Sequence, residues 1–494
     1  MQTGRLAVLL AVSSALVALP AQAETLRDAL VMAYNTSPAL KAAQADLRAT
    51  DENVVINEAQ GLPRVDVTAN HIEFVKTSPN SFTAPERRFQ IGPDLQIPIY
   101  SGGATRNAIK ASKGRVDAGQ ADLRGTEGGV FLQVVAAYMD VLRTEALVAL
   151  NTNQVEVLTV NLEATRDRFQ IGELTRTDVA QSESRLAQAR GNLMAAQSNL
   201  IGARETYIQL VGKAPGDLET PPPLPGLPDT VGDAVVIALE NNPDLIAAKA
   251  RAKAAGFESE VAGSGRLPTV SGFASYDYAD YFGTLGGPIA ADLLQTERTA
   301  NVGVQVTIPI FQGGLPAARQ RQAFARETAA LETVVAVERD VIRETRAAYA
   351  YWQAANAIIK SAEAAVEAAE LSLEGVRAEN SIGNRSILDV LNAEQELVLA
   401  QSQLVTATRD AYVAGFSLLT FMGRAEARDL NLDMGGPLYD PQLNYERVRG
   451  QVFDWQRDPE PAATTVSTVD IPAPDASIAP DSESPVNPES LESE

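Results

Sequence analysis

Between Asn301 and Ile310 apolar and polar side chains alternate. Val302, Val304, Val306, Ile308 and Ile310 fall on one face; Asn301, Gly303, Gln305 and Thr307 fall on the other. A period of two is that of a strand with one apolar face. The stretch RFQIGPDLQIPI repeats it, with Phe89, Ile91, Leu95, Ile97 and Ile99 against Gln90, Asp94 and Gln96. Two weaker runs precede these: Val65 and Val67 against Asp66 and Thr68, and Val270, Ala274, Tyr276 and Tyr278 against Ser271, Ser275 and Asp277. The pattern predicts two hairpins, with strands over 64–99 and over 269–310. Strands of about ten residues cross a bilayer at a tilt. A globular sheet alternates in the same way, so alternation alone leaves both open.

The glycine pairs Gly102–Gly103 and Gly313–Gly314 end these strands, and the period then changes. From Ala104 to Gln170, and from Leu315 to Ser381, no proline interrupts except Pro316, which is tolerated in a first turn. A helix of about 67 residues is on the order of 100 Å long, which implies a rod or a tube. Val155, Leu158, Leu162 and Phe169 follow three-four spacing, as do Val366, Ala369, Leu373 and Val376. The helix after the second long one carries two apolar seams: Leu391, Val398, Val405, Tyr412, and Leu397, Leu404, Ala411, Leu418. Its counterpart in the first half carries Ala180, Ala187, Met194, Ile201, and Leu186, Leu193, Leu200, Tyr207. Two seams mean a neighbour on each side, as in a sheet of helices that can close into a cylinder. Two faces of an ordinary bundle helix are the plainer alternative.

The whole arrangement occurs twice. Leu26 to Leu40 (LRDALVMAYNTSPAL) returns as Val231 to Leu245 (VGDAVVIALENNPDL), with Asp28, Ala29, Ala33, Pro38 and Leu40 on Asp233, Ala234, Ala238, Pro243 and Leu245. The separation of about 205 residues exceeds any solenoid period, so this is a duplicated domain. IPIYSGG (97–103) returns as IPIFQGG (308–314), AAY (136–138) as AAY (347–349), and IGELTRTDV (171–179) as IGNRSILDV (382–390). Each half therefore reads helix, helix, strand, strand, very long helix, helix. The halves occupy 24–212 and 230–423, and the proline-rich linker KAPGDLETPPPLPGLPD spans 213–229.

Composition adds the compartment. Arg5, the apolar run Leu6–Leu19 and AQA at 21–23 read as a signal peptide over 1–23. There is no cysteine, which excludes disulfides, thiolate metal sites and an acylated N-terminal Cys. The single histidine, His71, excludes a multi-His metal centre and reads as a solvated strand position. No cofactor is expected. A net charge of -22 argues against nucleic acid as a partner. After Gly423 the pattern breaks into short pieces over 424–457. The tail over 458–494 is acidic and proline-rich, the composition of disorder.

With these pieces assembled, the chain resembles the TolC family of outer-membrane efflux and secretion channels. The resemblance covers nearly the whole mature chain and rests on the duplicated A…NNP.L helix, the PI…GG corner and the IG…DV turn. It implies a mainly α fold with transmembrane β: a homotrimer whose twelve-stranded barrel, surrounded by outer-membrane lipid, continues into a helical tunnel in the periplasm. A periplasmic adaptor (membrane-fusion) protein and an inner-membrane pump are the implied partners. The implied role is passage of small molecules or secreted proteins, in tripartite efflux or type I secretion, without catalysis. A secreted coiled-coil structural protein or adhesin is the alternative. It accounts for the helices but not for four strands of membrane length or the duplication.

The IG…DV turns lie at the end opposite the strands. Gly172 and Gly383 are placed to stop the long helices, and Thr175 and Ser386 to cap the next ones. Those roles explain most of the motif. By resemblance, Arg385 matches the family's gate arginine and Asp178 the carboxylate it binds on the neighbouring coil, with Thr177 beside it. Asp389 matches the outer of two aspartate rings at the pore constriction. A helix N-terminal acid is its plainer reading. The second ring position is Asn392, and the usual gate tyrosine is Asn380. Both depart from the family and imply a looser, less acidic gate.

Overall fold

Two helices of 67 residues each run the length of the molecule: α3 (Ala104–Gln170) and α7 (Leu315–Ser381). The computed structural model describes residues 24–76, 84–286, 292–432 and 438–472. The expected signal peptide over 1–23 lies outside the described residues, as do residues 473–494 of the acidic tail. Each long helix starts at a glycine in the left-handed region, Gly103 (φ 87°) and Gly314 (φ 82°), where a side chain would be strained.

The remaining elements follow the duplication. The first half has α1 (Leu26–Thr36), α2 (Pro38–Ala59), β1 (Arg64–Glu73), β2 (Arg87–Tyr100) and, after α3, α4 (Arg176–Val211). The second has α5 (Val231–Asn241), α6 (Pro243–Ser264), β3 (Thr269–Asp280), β4 (Thr296–Thr307) and, after α7, α8 (Ile387–Phe421). A short α9 (Pro441–Val448) comes last. Ser37 and Asn242 cap α2 and α6, whose first residue is in each case a proline, as the repeated motif requires.

No partner helix is as long as α3 or α7. Near the sheet, α2 and α6 flank α3, and α7 packs on α6; toward the opposite end, α4 and α8 flank α3, and α7 packs on α8. The short helices meet nearly end to end. Where α4 ends, the Thr36 hydroxyl donates to the Val211 carbonyl at 2.9 Å, and Gly212 (φ 81°) turns against Thr36. Where α8 ends, Asn242 Nδ2 donates to the Phe421 carbonyl at 2.9 Å, and Gly423 (φ 67°) turns against Asn241. The largest apolar core gathers at this level, around Phe131, Tyr138, Tyr207, Phe416 and Met422. The repeated AAY tyrosines hold the linker there. The Tyr138 hydroxyl donates to the Glu219 carbonyl (2.6 Å), and the Tyr349 hydroxyl to that of Asp229 (2.7 Å).

The sheet is antiparallel in the order β1-β2-β3-β4. Its register aligns the alternation of all four strands: Val65 lies opposite Leu95, Leu95 opposite Ala274, and Ala274 opposite Val302. On the other face Asp66, Asp94, Ser275 and Asn301 line up. β4 ends at Thr307, short of the expected Ile310. Thr269, opposite Thr307, is the first residue of β3, and Pro309 has no N–H to pair. His71 is exposed, as expected, with its ring edge-on to Phe282.

After Gly423 the chain returns to the core. The Ala427 N–H donates to Glu127 on α3 at 2.6 Å. Burial pushes the Glu127 carboxyl up to about 7, against the effect of that bond, and Glu426 and Asp429 add to the rise. α9 lies on α2, where Asn444 donates to the buried Asp51 at 2.8 Å. Residues 458–472 form no helix or strand, and Arg447 pairs with Asp458 at 2.8 Å.

The Gly423 junction is testable. A Cβ there would lie 2.3 Å from the Asn241 carbonyl oxygen, and the left-handed backbone adds roughly 1–2 kcal/mol of strain. Gly423→Ala should therefore lower the thermal midpoint of the helical circular-dichroism signal. Gly450→Ala, where a Cβ meets nothing within 4 Å, should not. Equal midpoints would contradict the junction's role.

Candidate gate and channel-forming surfaces

The two helix tips are built alike. Gly172 (φ 83°) and Gly383 (φ 80°) follow the last residues of the long helices. The Glu173 N–H bonds back to the Arg168 carbonyl and the Asn384 N–H to that of Glu379, at 2.9 and 3.0 Å, which closes each helix with a Schellman turn. Thr175 and Ser386 cap α4 and α8, and each closes a capping box with the acid three residues on. Those acids are Asp178 and Asp389, so the two candidate gate carboxylates occupy equivalent places in the duplication. Asp178 Oδ2 accepts the Thr175 N–H and hydroxyl, both at 2.8 Å. Asp389 Oδ2 accepts the Ser386 N–H at 3.0 Å and its hydroxyl at 2.7 Å. The Ser386 hydroxyl, then its backbone N–H, holds the Asp389 carboxyl below the usual carboxylate range.

Within one chain Arg385 pairs with Glu379, Nε to Oε2 at 2.7 Å, and its field also reaches Asp389. The chain does not itself bring Arg385 to Asp178 or to Thr177, which is exposed in the first turn of α4. Both capping bonds of Asp178 fall on Oδ2, so Oδ1 keeps its acceptor capacity. Asn380, at the position of the family's tyrosine, donates to the Arg385 carbonyl at 2.8 Å and shapes the turn.

Asn392 is engaged. Its Oδ1 accepts from Arg185 on α4 at 2.8 Å, and the same guanidinium reaches Gln395. Next to it Glu394, 3 % exposed, accepts Asn161 Nδ2 of α3 on both oxygens (2.9 and 3.0 Å) and pairs with Arg377 of α7 at 3.0 Å. The motif-based reading missed Arg185, Glu394, Asn161, Arg377 and Glu379. One signal was available: Glu394 follows Leu391 by three residues along an apolar seam, and a charge there requires a partner.

Two surfaces lack a partner. The apolar face of the sheet is bare: Val302 is 86 % exposed, Val67 66 % and Val304 65 %. β1 and β4 each have a strand on one side only. The helix row is also open-edged. On the α4 seam Leu186 and Tyr207 are buried and Leu193 and Leu200 half-buried, whereas Ala180, Ala187 and Met194 on the other seam are exposed. On α7, Leu331, Tyr351, Ile358 and Leu371 are exposed. Among the described residues no helix is long and apolar enough to cross a membrane, and no group of three or more His, Asp or Glu could hold a metal ion.

A duplicated row of helices about 100 Å long, carrying at one end a small antiparallel sheet with a bare apolar face, defines the subunit class of the channel-tunnels. The chain belongs to the outer membrane efflux protein family, which matches it twice, over residues 29–213 and 234–424. It is 33% identical over 433 residues to the outer membrane efflux protein BepC of Brucella suis, covering 88% of this chain and 92% of the relative. It is 26% identical over 453 residues to the outer membrane protein TolC of Escherichia coli, covering 87% and 88%. The crystal structure of the outer membrane protein VceC from Vibrio cholerae superposes with a TM-score of 0.69 at 22% identity, covering 81% of this chain and 96% of that one. The family is one of channel proteins rather than enzymes, and its members reside in the outer membrane.

The caps can be tested apart from conduction. Thr175→Ala should cost about 1 kcal/mol of helix-end stability. Amide exchange in the first turn of α4 should rise by about fivefold while that of α8 stays unchanged. Unaltered exchange at Asp178 would show that the capping box does not hold this turn.

Proposed function

We propose that three copies of this chain form an outer-membrane channel whose tunnel crosses the periplasm. The observation that carries this is the sheet: four strands with an exposed apolar face and two open edges. Open edges are not tolerated in lipid, and single-chain barrels begin at about eight strands. Three chains of four strands give a twelve-stranded barrel, with β1 of one chain beside β4 of the next. The same assembly sets the bare seam of α4 against the bare face of α7 of a neighbour, which continues the helix row into a cylinder.

On this reading residues 24–212 and 230–423 are the two repeats. The 213–229 linker and the described stretches 424–432 and 438–457 form a belt around the middle. The substrate is a small molecule or a secreted protein. It arrives through a periplasmic adaptor and an inner-membrane pump docked at the helix tips.

The tips are the gate. Arg385 exchanges Glu379 for Asp178 and Thr177 of the adjacent coil, while Asp389 and the Asn392 position line the narrowest point. An exposed pair is individually weak, and three copies hold the tip shut yet let a docking partner open it. Purified protein in planar bilayers should conduct, and Arg385→Ser should conduct more than wild type. Asp389→Ala should lower cation selectivity. A wild-type protein that inserts without conducting would overturn the channel reading, and an unchanged Arg385→Ser conductance would overturn the latch.

A further inference from the structure

We infer that Arg185 is a second gate residue, which both ties α4 to α8 within one chain and sets the charge of the constriction. This rests on the reading of the helix tips as the gate. The planar guanidinium takes two acceptors on α8, Asn392 Oδ1 at 2.8 Å and Gln395 Oε1, the geometry its rigid fork favours. Residues three apart lie on one helix face, so Asp389, Asn392 and Gln395 form a single file. Arg185 therefore stands about one turn beyond Asp389, on the order of 5 Å along the axis.

The register of this file is fixed. Glu394 is buried, and its carboxylate is held by Asn161 of α3 and Arg377 of α7. Rotating α8 would leave a buried charge without partners, which is costly. With α8 held from two sides, Asn392 and Gln395 are presented to Arg185. A small cavity of about 70 Å³ beside them is lined by Arg185, Gln188, Leu391 and Gln395, and it leaves room for the arginine to move when the coils part.

The neutrality of Asn392 has an electrostatic consequence. Both acceptors of Arg185 are amides, so its positive charge is not cancelled where it is bound. It offsets the field of Asp389 one turn away. An acid at 392 would be taken up as the ion-pair partner of Arg185. It would not complete a second acidic ring.

Planar-bilayer recordings of the full-length protein test this, with reversal potential in a salt gradient and block by La³⁺ as readouts. Arg185→Gln should raise conductance and increase the cation-to-anion permeability ratio several-fold. Arg185→Lys keeps the charge but loses the two-acceptor bridge, so conductance should rise while selectivity stays near wild type. Asn392→Asp alone should change La³⁺ block little, whereas Arg185→Gln with Asn392→Asp should be blocked at several-fold lower La³⁺ than either single variant. Arg185→Gln pores with wild-type conductance and reversal potential would overturn the inference, as would Asn392→Asp alone reproducing the block of the double variant. Wild-type protein without pores would instead remove the channel reading beneath it.

Discussion

A helix of 67 residues carries an apolar stripe that has to be covered, and among the described residues no helix besides α3 and α7 is that long. The fold solves this by stacking shorter helices end to end. α4 runs into the α1–α2 junction at Thr36, and α8 into the start of α6 at Asn242. Gly212 and Gly423, both in the left-handed region, let the chain leave each junction without a side chain in the way. The main core, the two AAY tyrosines and the linker all collect at this level because six helix ends meet there. The positions of the sheet and of the tips follow, since each occupies one end of the same pair of long helices.

A single copy leaves two independent surfaces uncovered. Its sheet exposes valine and isoleucine side chains on one face and has two open edges, and its helix row ends in a bare α4 seam and a bare α7 face. Each deficiency is of the kind that another copy removes. The duplication supports the same reading, because two equivalent halves per chain make a ring of near-equivalent units. The ion pairs at the tips are exposed and individually weak, which suits the proposed reversible gate.

Much of this was legible in the residues. The bounds of α3 and α7 follow from glycine pairs and from the lack of proline. The four strands follow from alternation, and the register confirms it by placing like faces together. Gly172, Gly383, Thr175 and Ser386 do what their types and spacing suggest. What could not be read was set by contacts distant in sequence. β4 stops at Thr307 because β3 offers nothing further to pair with. Glu394 reaches Asn161 across 233 positions, and Arg185 reaches Asn392 across 207. No local pattern encodes such pairs. The pairing of Arg385 with Glu379 within one tip was likewise outside the motif, because Glu379 lies at the end of α7 and Arg385 in the turn that Asn380 braces.

The proposed pore requires several chains to pool their strands. Native mass spectrometry of detergent-extracted protein, on the same preparation shown to conduct in bilayers, tests it most directly. A species of three chains is expected. A monodisperse monomer that still conducts would contradict it, because a sheet of four strands would then have to close alone.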